Sequence, residues 1–201
     1  MDIFVQIYTM LNIILFGKPG SGKGTQAEFI KEKYELVHIS TGDLFRQNIK
    51  NQTNLGKLAQ NYIINGDLVP DNVTVGMLKA EIDSNNNSNG YLFDGFPRTV
   101  DQAISLDNYL DGKKLKIDLT ISIDVKDEIL IERILNRGLT SGREDDQDKI
   151  KIKNRFDEYN SKTSFLEQYY KSQNKFKIID GYGNIEEVTK RLYNEIDEFI
   201  F

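Results

Sequence analysis

Leu11–Phe16 is a run of six residues, five of them apolar, that ends abruptly at Gly17-Lys18-Pro19-Gly20-Ser21-Gly22-Lys23-Gly24-Thr25. A short apolar run closed by glycines suits a buried parallel strand feeding straight into a loop. Glycines at 17, 20 and 22 allow backbone angles closed to other residues, so successive N–H groups can turn inward on an anion. Lys23 adds a flexible point charge, and a helix expected to start within Lys23 to Thr25 adds its positive end. The stretch nearly matches the phosphate-loop pattern G-x-x-x-x-G-K-[ST], except that Gly24 stands where the hydroxyl belongs and Thr25 supplies it one residue late. A glycine-rich turn that merely precedes a helix is the alternative reading.

Similar apolar runs recur at Val37–Ile39, Tyr91–Phe93, Leu119–Ile123 and Phe176–Ile179, each separated from the next by a longer segment with helical spacing. Strand alternating with helix implies a parallel α/β sheet covered on both faces. Two regions break the alternation: roughly 40–69, helical in pattern, and 137–147, short and polar. Insertions at strand ends are where such sheets bind ligands. Residues 83–90 form a polar, Asn-rich connection, and residues 1–10 are read as an N-terminal extension with Met10 as an alternative start.

Composition narrows the chemistry. With 201 residues, 39% hydrophobic and 28% charged, the chain suits one domain with small inserted segments. Zero Cys and the single His38 exclude disulfides, a thiolate zinc site and a Ser-His-Asp triad. A net charge of −5 argues against nucleic acid or an anionic membrane as partner, and no apolar run reaches the ~20 residues needed to span a bilayer.

Two further groups bear on phosphate chemistry. Tyr91-Leu92-Phe93-Asp94-Gly95-Phe96-Pro97-Arg98 is a strand ending in an acid and then an arginine. Asp94 can hold magnesium through water, and Arg98 can grip phosphate through two parallel hydrogen bonds; a helix cap with a surface arginine would look alike. Arg133, Arg137, Arg143 and Arg155 cluster around the second irregular segment. Each alone reads as part of a solvated face, but four together do not.

The strings GKPGSGKGTQ, HISTGDLFR, NGDLVPD, FDGFPRTVDQA, ERILNRG and SGREDDQ stand in the order and approximate spacing of adenylate kinases, and from Leu11 onward the chain resembles a short-lid member of that family. The resemblance implies a P-loop NTPase-type, five-stranded parallel sheet flanked by helices. Its core would be 11–39, 70–136 and 148–201, with a helical NMP-binding insertion at 40–69 and a short lid at 137–147. It implies reversible transfer from MgATP to AMP giving ADP, with Mg²⁺ and no zinc, by a cytoplasmic monomer. ATP would contact Gly20, Ser21, Gly22, Lys23, Gly24, Thr25, Arg133, Arg137 and Gly183. AMP would contact Thr41, Arg46, Asp67, Leu68, Val69, Gly95, Phe96, Pro97, Arg98, Gln102, Arg143 and Arg155. Lys23, Arg98, Arg137, Arg143 and Arg155 would be catalytic, with Thr25 and Asp94 assisting the metal.

Three departures carry expectations of their own. Lys18 reads as a solvated lysine. The interval from Arg143 to Arg155 is one residue long for the family, which calls for a bulge near 148–150 if Arg155 is to face the cleft while Lys153 faces solvent. A pyrimidine nucleotide kinase on the same scaffold is the nearest rival, disfavoured by Thr41 and Gln102; a GTPase-like switch is the other, and Asn174-Lys175-Phe176-Lys177 lacks the Asp of its guanine motif.

Overall fold

In the computed structural model, which describes residues 10–85, 88–141 and 143–200, each apolar run becomes a strand. They are β1 (Leu11–Phe16), β2 (Val37–Ser40), β3 (Gly90–Asp94), β4 (Leu119–Asp124) and β5 (Phe176–Asp180). All pairings are parallel, in the order β2-β3-β1-β4-β5. The residues 1–9 of the expected extension, and parts of the Asn-rich connection and of the second irregular segment, lie outside the described residues.

Helices cover both faces: α1 (Lys23–Tyr34), α2 (Thr41–Lys50), α3 (Asn54–Asn65), α4 (Asp71–Ser84), α5 (Val100–Asp111), α6 (Asp127–Ser141), α7 (Lys149–Glu158), α8 (Phe165–Lys171) and α9 (Ile185–Ile200). Along β1 the side chains alternate between two cores, as a period of two requires. Ile13 and Leu15 pack with Ile30, Leu130, Ile134 and Leu192, whereas Ile14 and Phe16 pack with Phe93, Leu106 and Tyr170. Phe45, Ala59 and Val69 form a third, small core inside the 40–69 segment. The start of the polar 83–90 stretch is the last turn of α4 rather than loop.

The register places the ends of three strands together. Leu15 of β1 lies beside Asp94 of β3, which lies beside Ser40 of β2, so the glycine loop, the acid and the start of α2 share one rim. That rim is at the carboxyl ends of the strands, where the order reverses from β1 to β3 on one side and β4 on the other. Among the described residues no helix is long and apolar enough to cross a membrane.

Helix continuity differs from expectation after the second irregular segment. Asp148 caps α7, its side chain accepting from Ile150 N, so no bulge forms at 148–150. The irregularity comes later: Tyr159–Thr163 is a π-helical turn, with Ser164 N donating to Tyr159 O at 2.9 Å. The cap satisfies one orphan donor, and Ile152 N already donates to Asp148 O at 2.9 Å in regular helical spacing.

At the opposite end of the sheet Asn12 is buried at 1% exposure. Its Nδ2 donates to Lys116 O at 2.8 Å, its Oδ1 accepts from Tyr91 N at 3.2 Å, and its own N–H donates to Asp118 at 2.9 Å. One amide thus ties β1 to β3 and to the chain entering β4. Replacing Asn12 by Ala strands buried backbone groups and should cost about 2–3 kcal/mol, read as a lower urea midpoint at unchanged m-value.

Candidate functional site

Helix α1 begins at Lys23 with Gly22 before it at φ +96°, and Gly17 and Gly20 also hold positive φ, +139° and +85°. At Gly20 a Cβ would meet Ile134 Cγ1 at 2.9 Å and Leu130 O at 3.0 Å, so the loop lies directly against α6. Lys23 folds back over this loop, its Nζ donating to Gly17 O at 2.6 Å and Lys18 O at 3.2 Å. Burial pushes the Lys23 amine down to about 8, with Arg98, Arg155 and Arg137 adding to the shift and Asp94 opposing it.

The loop opens on a cavity of about 1290 Å³. Gly20 to Thr25, Arg133, Arg137 and Gly183 line it from the donor side of the expected site, and Arg46, Gly95, Arg98, Arg143 and Arg155 from the acceptor side. Asp94, paired in register with Leu15 just before the loop, lines it too. Burial alone would raise the Asp94 carboxyl, but His38, Lys23 and Arg98 together hold it below the usual carboxylate range. Thr25 lines the same cavity and is exposed.

The arginines are held by carboxylates that the motifs did not single out. Asp146 is fully buried and accepts from Arg137 Nε at 2.7 Å, Arg137 Nη2 at 2.9 Å and Arg155 Nη1 at 2.7 Å. Asp145 sits 2.9 Å from Arg155 Nη1. Asp43 pairs with Arg46 and stands 3.8 Å from Arg143. Burial would raise Asp146, yet Arg137 and Arg155 keep it below its ordinary value. The acids after Arg143 were legible as a run, but nothing in their order said which arginine they would meet.

A smaller cavity of about 80 Å³ adjoins, lined by Thr41, Arg46, Asp67, Leu68, Val69, Gly95, Arg98, Gln102 and Arg155. These are nine of the residues expected around the acceptor nucleotide. Three of that set lie elsewhere: Arg143 faces the large cavity, Pro97 a neighbouring cleft, and the Phe96 side chain is 1% exposed in the core. Phe96 can therefore offer only backbone. Gln102 is already engaged, its Oε1 accepting from Arg98 N at 2.8 Å and its Nε2 donating to Asp71 at 2.7 Å. Thr41 donates its hydroxyl to Gly95 O at 2.9 Å. One amide hydrogen of Gln102 and the hydroxyl lone pairs of Thr41 are left for a ligand.

Other expected residues fall as follows. Arg155 is 19% exposed at the cavity, while Lys153 is 76% exposed and pairs with Asp157, so the arginine faces inward without the bulge. Ile152 and Phe156 fix that face by burial. Lys18 is partly exposed, and it also donates to Asp127 at 2.7 and 3.0 Å, because α6 starts across from the loop. His38, unassigned in the sequence, stands in the cavity wall with Nδ1 3.4 Å from Glu28 and Nε2 3.7 Å from Asp94. Gly183 precedes a reciprocal cap of α9, in which Asn184 N donates to Glu187 and Glu187 N donates to Asn184, both at 2.9 Å. Among the described residues no three His, Cys, Asp or Glu side chains gather as a metal cage.

The family model for adenylate kinase matches residues 15–175. The chain is 58% identical to an adenylate kinase of Flavobacterium psychrophilum over 188 residues, covering 94% of this chain and 99% of that one. It is 46% identical to an adenylate kinase of Bacteroides fragilis with coverage of 94% and 99%, and 43% identical to one of Leptospira biflexa with coverage of 93% and 100%.

The buried junction of Asp146 with two arginines also makes a stability prediction. Asp146→Ala removes the carboxylate shared by both guanidiniums, leaving Arg155 with Asp145 alone, and should cost about 3 kcal/mol. Lys153→Ala, on the exposed face of the same region, should stay within about 0.5 kcal/mol; equilibrium denaturation of the two variants reads the difference.

Proposed function

This chain belongs to the adenylate kinase family, and from that premise we propose how its residues divide the work of moving a phosphoryl group from ATP to AMP. The reaction yields two ADP and balances the adenine nucleotide pools. The observation that carries the residue assignment is the convergence of Lys23, Arg98, Arg137, Arg143 and Arg155 on one cavity at the carboxyl edge of the sheet.

Gly20 to Thr25 and the start of α1 cradle the donor phosphates, with backbone N–H groups and the helix end as fixed partial charges. Lys23 exchanges its two loop carbonyls for phosphate oxygens. Arg133 covers the donor base, and Gly183 meets its edge through the backbone. Arg137, Arg143 and Arg155 exchange their carboxylate partners for the transferring and accepting phosphates, while Arg98 and Arg46 hold AMP. The transferred group carries its charge on three equatorial oxygens, so preorganised cations stabilise the transition state without covalent chemistry. No general base is needed, since the acceptor is an ionised phosphate oxygen.

A Cβ at Gly24 would have Asp94 Oδ2, at 3.9 Å, as its one protein neighbour. The protein itself leaves room for a side chain there; a phosphate close to the backbone would not. Magnesium fits this wall: Asp94 is an ionised, mostly buried oxygen donor and Thr25 an accessible hydroxyl. Two oxygen donors are too few for a protein cage, and they match an ion held chiefly by nucleotide phosphates and water. Held by Asp94 and Thr25, it would supply positive charge to offset that of the donor phosphates. Closure of segments 40–69 and 137–147 over the cleft excludes water as a competing acceptor. We place the enzyme in the cytoplasm as a monomer.

Acceptor choice tests the smaller cavity. The Gln102 hydrogen and Thr41 lone pairs match the N1 and N6 edge of adenine; uracil presents the reverse pattern, and cytosine is a ring too short. AMP should outperform UMP and CMP by roughly tenfold or more in kcat/KM in a coupled ADP assay, and equal turnover of UMP would remove the assignment.

The depressed Lys23 amine gives a pH signature. It is charged below about 8 and neutral above in the free enzyme, so kcat/KM for ATP should fall as pH rises through about 8. Bound phosphates restore the proton, so kcat should hold to higher pH.

A further inference from the structure

Arg98 stands in neither strand nor helix: β3 ends at Asp94 and α5 begins at Val100. Its backbone therefore takes no orientation from a ladder, and it follows a proline that has no N–H to give. Two side chains, one four residues on and one far along the chain, supply what the ladder does not. On one side, Arg98 N donates to Gln102 Oε1 at 2.8 Å, and Gln102 is anchored in turn by Asp71. On the other, Thr163 Oγ1 donates to Arg98 O at 3.0 Å across 65 positions of sequence. Within its own side chain, Arg98 Nε donates to Gly95 O at 2.7 Å, which fixes the guanidinium once the backbone is fixed.

Thr163 is 7% exposed and closes the π-helical turn Tyr159–Thr163. That turn explains how one helical segment serves two arginines. In a regular α-helix, residues eight apart such as Arg155 and Thr163 would point about 80° apart. An i→i+5 turn underwinds the helix and takes up much of that angle. Arg155, Thr163, Arg98, Glu158 and Pro97 accordingly line one small cleft of about 90 Å³ beside Lys23. After burial, the charge of Arg155 acts most strongly on Arg98, and the two side chains line the same cavities.

We infer that Thr163 is a positioning residue for phosphoryl transfer: its hydroxyl, with Gln102, clamps the two ends of the Arg98 backbone so that the guanidinium meets the phosphate while the same helix presents Arg155. The inference rests on the reading of Arg98 as a phosphate ligand given above.

Steady-state kinetics with ATP and AMP on the full chain test it, using Thr163→Val, Thr163→Ser, Arg98→Ala and the double variant Thr163→Val/Arg98→Ala. Misplacing Arg98 should lower kcat about tenfold to a hundredfold in Thr163→Val, with KM for ATP within twofold of wild type. Thr163→Ser, which keeps the hydroxyl, should restore kcat to within twofold. In the Arg98→Ala background, Thr163→Val should lower kcat no further, because there is no guanidinium left to aim. Should Thr163→Val fail to fold, Thr163→Ala, which removes the same hydroxyl with less bulk, takes its place in every comparison. Equal fractional losses with and without Arg98 would mark Thr163 as packing only and overturn the inference. So would normal kcat in Thr163→Val while Arg98→Ala is impaired, which leaves the reading of Arg98 intact. Normal kcat in Arg98→Ala would overturn both.

Discussion

Like charges repel, and this fold brings Lys23, Arg46, Arg98, Arg137, Arg143 and Arg155 to face a single cavity. The cost of that arrangement organises the surrounding structure. Asp146, fully buried, bridges Arg137 and Arg155, Asp145 reinforces the second of these, and Asp43 stands between Arg46 and Arg143. Where carboxylates do not reach, charge is moderated at its source: Lys23 binds its proton less tightly than an exposed lysine and leans on two backbone carbonyls. Each of these contacts is one a phosphate oxygen can replace. On the proposed reading the carboxylates and loop carbonyls hold the places of substrate phosphates, keeping the cations assembled without filling the cavity.

Assembling them requires contributions from several elements. Lys23 comes from the first turn of α1, Arg46 from α2, Arg98 from the segment after β3, Arg137 from α6 and Arg155 from α7. Parallel register puts the relevant strand ends on one rim, with Leu15 beside Asp94 and Asp94 beside Ser40. Asn12 at the far end of β1 holds that register by satisfying backbone groups of two other segments. The small core of Phe45, Ala59 and Val69 lets the 40–69 segment keep its shape while packing little against the main sheet. Asn154 of α7 nevertheless reaches it, donating to Asn65 O and Asp67 at 2.9 Å, so the helix carrying Arg155 touches that segment directly.

The strands were legible because buried parallel strands read as continuous apolar runs, and their glycine and acid endings mark the functional rim. The inward face of Arg155 was legible for a similar reason, since Ile152 and Phe156 leave it one orientation. What the sequence hid depends on partners far along the chain. Lys18 looks unpartnered until Asp127, 109 positions away, is placed against it. Gln102 looks free to read a base until Asp71 and Arg98 N claim both ends of its amide. The π-helical turn has no composition of its own: Tyr159-Asn160-Ser161-Lys162-Thr163 carries neither proline nor glycine, and the Arg98 carbonyl that Thr163 meets is 65 positions away.

The central claim is that the cavity is built to receive concentrated negative charge. Thermal unfolding of the magnesium-free chain in low salt, with ATP plus AMP or with adenosine at equal concentration, tests it most directly. Phosphates relieve the repulsion among the cations and bind the folded state alone, so the account predicts a clear rise in Tm with the nucleotides, shrinking as salt is added, and little change with adenosine. An equal rise with adenosine, or a nucleotide effect indifferent to salt, would contradict it.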